Sequence, residues 1–444
     1  KKKHQPDSYL EIPKEILFPY AAVDAWNCML LYNLFEEPIS HMRKAYALDM
    51  NCTRYSMQVE DRGQLIDKKR AKELAKEFKE EALLLQKEVK VASGAVIEPS
   101  DKRTLCFALF SAGAVCKKFT KNKKTKQFTI IPDTSEAALK LYTEIEWMPT
   151  FIAFKKKKAL EKTLREQLIA NLDGNNVIHT NFNISLARTR RASSSQINLQ
   201  NIEKKSKIRE AFITRKGFTT FYFDYSQIEY RIFAHEARDD ELISGYCDGT
   251  LDAHSLTSRR LDISRDESKT VNFLILYGGG ADALSEKLGQ PYAYCQDLLE
   301  RFKDSTPGLK DMEERLLMEL AENGHIEDQF GMHYHVLPED HFKIVNTKIQ
   351  GTAGSVLKHA KLNVKKLLRS TQSHMIGEIH DELIIEIADC DLPFIPTLIK
   401  ESMERMPEGY FDVPMVVDVE YTKTNWAEKK EYPIMELEKG ALPW

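Results

Sequence analysis

Residues 218–223 read Phe-Thr-Thr-Phe-Tyr-Phe and break off at Asp224. An aromatic, apolar run of that length has the composition of a buried strand, here one that ends in a carboxylate. Residues 375–387 carry two alternating apolar runs on either side of His380-Asp381-Glu382, the pattern of a tight hairpin with acids at its tip. Helical spacing dominates elsewhere. Charged and apolar positions mix with that period over 67–91, and 39–175 is mostly helical in pattern, with Gly63 as a stop and Asp67 as a start. Residues 265–277 contain no Gly or Pro and predict a single helix, ended by Gly278-Gly279-Gly280. Arg265, Lys269, Phe273 and Tyr277 recur every four residues and so share a broad face of it. Two cations followed by two flat rings suit a nucleoside triphosphate.

A chain of 444 residues exceeds one ordinary core and predicts two or three domains or subdomains. The 42% hydrophobic content is that of a globular protein, without an apolar run long enough for a bilayer or a signal-peptide pattern. Seven scattered cysteines lack metal spacing and predict reduced thiols. Net charge is only −3, so bulk charge does not announce a polyanion binder. Its distribution says more. Lys117, Lys118, Lys121, Lys123, Lys124 and Lys126 crowd one segment and Lys155 to Lys158 form another, either solvated faces or phosphate contacts.

A strand-end Asp is by itself most often a cap or turn residue. It acquires chemistry when a second acidic strand end meets it. Asp224 and Asp381 together can hold two hard divalent cations about 3.5–4 Å apart, the arrangement used for in-line phosphoryl displacement.

Asp224-Tyr225-Ser226-Gln227-Ile228-Glu229, then residues 265–278, then His380-Asp381-Glu382 resemble, in that order, the three polymerase motifs of family A DNA polymerases. The resemblance covers roughly residues 40–427 and is densest from 179 onward. It implies an α+β, right-hand polymerase fold with a helical thumb, an antiparallel-sheet palm and helical fingers. The expected divisions are 1–38 as an exonuclease-like remnant, 39–178 thumb, 179–234 first part of the palm, 235–335 fingers, and 336–444 the rest of the palm with a tail. Residues 111–129 would be the thumb tip, where Lys121, Lys123 and Lys124 would grip DNA phosphates. Tyr20 and Asp24, in Tyr20-Ala21-Ala22-Val23-Asp24-Ala25, resemble the last motif of a 3′–5′ exonuclease, and no proofreading is expected from this polypeptide alone.

The resemblance further implies a template-directed enzyme using primer–template DNA and deoxyribonucleoside triphosphates, with two Mg2+ or Mn2+ ions. Asp224, Asp381 and the Tyr225 carbonyl would hold metal, with Glu382 in support. Lys269 would meet the triphosphate and donate a proton to the leaving group, while Arg265 and His254 hold outer phosphates. Phe273 and Tyr277 would face the base, and Phe273 implies rejection of dideoxynucleotides. Glu229 would exclude a ribose 2′-hydroxyl. Arg191, Asn346, Gln350 and His380 would line the primer–template. The family usually has Gly, Leu and Pro where Arg190, Ala192 and Ile197 stand, an arginine near Phe342, and a basic triplet in place of Met332-His333-Tyr334. A cytoplasmic monomer from a bacterium or its phage is expected, with a processivity factor as a further partner. A single-subunit RNA polymerase and a non-catalytic relic of the fold are the rival readings.

Overall fold

The computed structural model describes residues 12–433 other than 116, 118 and 122–127, and the backbone alone at 121 and 128–132. Lys123 and Lys124 therefore lie outside the described residues, as does the side chain of Lys121. A five-stranded antiparallel sheet organises the rest. Its order is His374–Ile379, Glu382–Ala388, Phe218–Tyr225, Val417–Thr422 and Lys430–Glu431. The apolar run of 218–223 becomes the middle strand, and the alternating runs of 375–387 become a hairpin at the edge. The hairpin closes on His380 and Asp381, because Ile379 pairs with Glu382.

Strand periodicity divides this sheet into two unlike faces. Phe221, Phe223, Leu383 and Ile385 point to one side and are all 0% exposed. Each such burial contributes about 1.5–3 kcal/mol. Helix Ile395–Glu404 covers this side, where Met403 accepts a 2.6 Å hydrogen bond from the Tyr225 hydroxyl. The opposite face carries Asp224, directly across from Glu382 on one neighbour and Asp418 on the other. The first face is wholly apolar at these positions, whereas the second mixes buried Tyr222 and Ile384 with the acidic groups.

Long helices flank the sheet. Arg43–Arg62 ends at Gly63, whose φ of 57° is left-handed and where a Cβ would lie 2.6 Å from the Ile178 carbonyl oxygen. Lys68–Ser93 begins at Asp67, whose carboxylate accepts the Arg70 N–H at 2.9 Å. Gly63 and Asp67 thus stop and start helices as expected. Lys68–Ser93 runs along Met148–Lys162. The expected thumb tip is not continuous helix: Phe119–Lys121 pairs with Phe128–Pro132 in a small antiparallel hairpin.

The lysines of 155–158 are engaged within the chain. Lys155 donates to the Thr134 carbonyl, Lys156 pairs with Glu203 at 2.8 Å, Lys157 with Glu81 and Lys158 with Glu98. Lys117 likewise pairs with Glu144 at 2.7 Å. Tyr20 and Asp24 fall on Lys14–His41, a single helix with no buried residue among those described. Among the described residues no helix is long and apolar enough to cross a membrane.

Candidate active site

Acidic side chains along the second face of the sheet are neutralised in turn until the hairpin tip is reached. Glu386, 0% exposed, accepts from Arg215 at 2.7 Å and Arg62 at 3.4 Å. Glu382 pairs with Lys429 at 3.0 Å. Asp224 and Asp381 come next, and neither forms an ion pair with a described residue. Their backbones are one hydrogen bond apart, the Tyr225 N–H donating to the Asp381 carbonyl at 3.3 Å.

Burial, and then the Asp381 charge, push the Asp224 carboxyl up to about 7. Burial pushes Asp381 up to about 6, partly countered by the Arg191 guanidinium. Two such acids in a half-buried place, neither in an ion pair with a described residue, are a donor set suited to a cation. They fit hard divalent ions, with the Tyr225 carbonyl following directly in sequence. Glu382 already has its cation in Lys429, which suits a supporting part.

Arg191, whose charge acts on Asp381, begins a run of polar groups that ends at helix Arg265–Leu276. Arg191 pairs with buried Glu229, and the Tyr277 hydroxyl reaches the same carboxylate at 3.5 Å. Tyr277 follows the helix Arg265–Leu276, which matches the predicted element and opens with a capping box between Ser264 and Glu267. Arg265, Lys269, Phe273 and Tyr277 are all exposed along one side of it. The Phe273 ring lies 6.4 Å from Tyr277 and 5.9 Å from His254. Gly279 ends the helix where a Cβ would meet Leu274 at 2.5 Å.

His254 is buried, and its partners fix its tautomer. Asn272 accepts the Thr257 hydroxyl at 2.8 Å, so its amide nitrogen is the group 3.0 Å from His254 Nδ1. Nδ1 must then accept, which leaves the proton on Nε2. Burial lowers the imidazole pKa, and Arg265 and Lys269 lower it further while Asp252 opposes them. His254 is accordingly a neutral donor. Asp252 also holds Arg265 at 3.0 Å and caps the helix Ala253–Leu261. Asp252 and Lys429 carry no periodic or motif signal and Asn272, though inside the 265–278 motif, was given no role, so sequence reasoning missed all three.

Asn346 and Gln350 lie one turn apart on helix Ile344–Leu368. The Asn346 amide donates to the Leu276 carbonyl at 2.6 Å, and Gln350 is buried. His380, in the hairpin turn, is exposed. Tyr20 and Asp24 have no second acidic motif beside them on their helix.

Non-glycine residues in the left-handed region flank this site. Arg190 at φ 57° precedes Arg191, Gln227 at 53° lies between Tyr225 and Glu229, and His380 at 56° precedes Asp381. Such backbone costs roughly 1–3 kcal/mol per residue and persists where the surroundings hold it. Arg190 stands where the resembling family has Gly, and its φ retains the glycine-like path. An ion pair with Asp49 anchors it.

An antiparallel sheet with paired acids at a hairpin tip, facing a helix of cations and rings and flanked by helical arms, defines a right-hand polymerase fold. The sequence model of DNA polymerase family A matches residues 68–428, and the chain belongs to that family. It is 28% identical to DNA polymerase I of Pseudomonas aeruginosa over 92% of this chain and 47% of that protein. It is 33% identical to the thermostable DNA polymerase I of Thermus aquaticus over 57% of this chain and 33% of that one. It thus spans less than half the length of these relatives. The POL domain of Pol1 from M. smegmatis, solved with DNA primer-template and dNTP, superposes with a TM-score of 0.75 at 24% identity. That match covers 84% of this chain and 69% of the other, and bears on the fold.

Proposed function

We propose that this chain is a template-directed DNA polymerase that joins deoxyribonucleotides to a primer 3′-hydroxyl and releases pyrophosphate. The observation that carries the reading is the Asp224–Asp381 pair, two acids with no ion-pair partner among the described residues, beside Arg191, which pairs with Glu229 and so leads to Tyr277 at the end of helix Arg265–Leu276. Asp224, Asp381 and the Tyr225 carbonyl would hold two Mg2+ ions, with Mn2+ as an alternative. Bound there, the cations would lower the pKa of the primer hydroxyl and neutralise charge on the departing pyrophosphate.

The chain's own groups do the rest. Exposed Lys269 and Arg265 draw in the triphosphate, Arg265 exchanging Asp252 for a phosphate oxygen. Lys269 is the proton donor to the leaving group. His254 offers an Nε2–H to an outer phosphate. Phe273 and Tyr277 supply flat surfaces for the base. Asn346 and Gln350 meet the primer–template minor groove once Asn346 leaves the Leu276 carbonyl, and Arg191 and His380 lie by the primer end.

Glu229 selects the sugar. Its buried carboxylate, held by Arg191 and Tyr277, fills the space a ribose 2′-hydroxyl would need. Replacing it in Glu229→Ala should relax the preference for deoxyribonucleotides over ribonucleotides by about a hundredfold. An unchanged ratio of the two incorporation efficiencies would remove that role. The reading as a whole is tested by primed-template extension with each nucleotide type, with and without Mg2+. Extension by deoxyribonucleotides in Mg2+ supports it. Extension by ribonucleotides alone, or none at all, overturns it.

A further inference from the structure

Away from the proposed active site, a second set of ligand-type side chains is gathered on one face of a small hairpin. Strands Ile326–Glu327 and His333–Tyr334 pair antiparallel, with Glu327 opposite His333 and Ile326 opposite Tyr334. Extending that register by one residue sets His325 across from His335. Alternation then places His325, Glu327, His333 and His335 on the same side of the ribbon. Among the described residues, His325, Glu327 and His333 form the one group of three whose ligand atoms all lie within 4.8 Å of one another. The His325 and His333 rings stack at 3.7 Å, and His333 Nε2 lies 4.0 Å from the Glu327 carboxylate.

The scaffold beneath this face is stiff. Asp328, 4% exposed, accepts the N–H groups of Phe330 and Met332 at 2.9 and 3.0 Å and the hydroxyls of Tyr334 and Ser355 at 2.8 and 2.6 Å. Lys348 donates to the Glu327 carbonyl. Gly351 of helix Ile344–Leu368 leaves room for the Tyr334 ring, where a Cβ would come within 2.4 Å. His335 Nδ1 lies 3.0 Å from the Gly324 carbonyl, which can only accept, so Nε2 keeps its lone pair. An imidazole oriented through its other nitrogen by a backbone carbonyl is the usual support for a metal-binding histidine.

We propose that this hairpin binds one borderline transition-metal cation of the Zn2+ class through His325, Glu327 and His333, with His335 beside them. Two or three imidazoles and one carboxylate suit Zn2+, Ni2+ or Cu2+, whereas Mg2+ and Ca2+ take oxygen ligands. The site joins the two strands of the hairpin and lies outside the Asp224–Asp381 pair. It does not depend on the polymerase reading.

The test uses the full chain stripped with a chelator and titrated calorimetrically with ZnCl2 under millimolar Mg2+, which occupies carboxylate sites. One Zn2+ should bind with a dissociation constant of about a micromolar or tighter. The affinity should fall about a hundredfold or more in His325→Ala/His333→Ala and about tenfold in Glu327→Gln, which keeps the shape of the hairpin. Co2+ in place of Zn2+ should give visible absorption bands that the double variant lacks, and Zn2+ should raise the melting temperature of the parent chain alone. Equal Zn2+ affinity in the parent and Glu327→Gln chains, or competition by Mg2+ at similar concentration, overturns the proposal.

Discussion

Two clusters of buried charge lie on either side of a small cavity lined by Arg191, Lys361, Glu378, His380 and Asp381. Behind it, Lys361 pairs with Glu378 at 2.9 Å and donates to Ser56 at 2.7 Å, and Lys358 and Arg190 share Asp49. In front of it, Asp224 and Asp381 raise each other's charge cost and form no ion pair with a described residue. The rear cluster pairs each of its charges within the chain and ties helices Arg43–Arg62 and Ile344–Leu368 to the sheet. The front cluster is complete only with something the chain does not contain. Compensated burial marks structure here, and uncompensated burial marks chemistry.

The largest expected effect falls at the front. Asp381→Ala should lower primer extension by about a thousandfold or more, since an interaction with charge developing in the transition state is lost. The same change relieves repulsion on Asp224, so the melting temperature of the metal-free chain should hold or rise. Extension near the parental rate would end the assignment of the acid pair. At the rear the signature reverses. Lys361→Ala leaves Glu378 buried without its partner and should cost about 3–5 kcal/mol of stability, read by denaturant unfolding. Extension measured well below the melting temperature should change little. Equal loss of activity and stability in both variants would erase the distinction between the clusters.

The middle strand was legible from its apolar run, the hairpin from its alternation, and the helix Arg265–Leu276 from its freedom from Gly and Pro. Asp224 and Asp381 stood out as the points where apolar alternation stops. The spacing of Arg265, Lys269, Phe273 and Tyr277 showed a shared helix face, and their roles came from the resemblance of the flanking motifs. The groups that tune the site were not. Asn272 acts on His254 from 18 residues away and Lys429 on Glu382 from 47, while the rear pair Asp49 and Lys358 is 309 apart. Such partners obey no period, because a hydrogen bond constrains two positions that only the tertiary fold brings together. Arg190 shows the same limit in the backbone. Its departure from glycine was visible, but its left-handed φ and its anchor at Asp49 were not.

The comparison sharpens with pH. Asp224 and Asp381 have folded-state pKa values of about 7 and about 6, above the ordinary 3.8. Between about pH 4 and 7 the metal-free folded chain therefore binds more protons than the unfolded chain at these groups. Their contribution to stability is full at the low end of this window and is lost as pH rises through it. Divalent cations bind the ionised form, so millimolar Mg2+ should flatten or reverse that slope. Melting curves in chelator and in Mg2+ check this, with Asp381→Asn as the difference that isolates the pair. An identical pH slope in the parent and Asp381→Asn chains would mean that the two acids do not interact.

The smallest expected effect concerns charge that looks functional in the sequence and is compensated in the fold. Lys156 pairs with Glu203 and Lys158 with Glu98, with side-chain exposures between 41% and 62%. Exposed pairs of this kind contribute about 0–1 kcal/mol, so Lys156→Ala/Lys158→Ala should barely move the melting temperature. Their bearing on DNA is separable by salt. A lysine that neutralises a phosphate adds about 0.9 to the slope of log affinity against log salt concentration, so two would add nearly 2. With carboxylates already beside them, the double variant should bind primer–template with the parental slope. A slope lower by nearly 2 would mean that both lysines leave their acids for the duplex, and the compensation seen along helix Met148–Lys162 would then be a resting arrangement of a nucleic-acid contact.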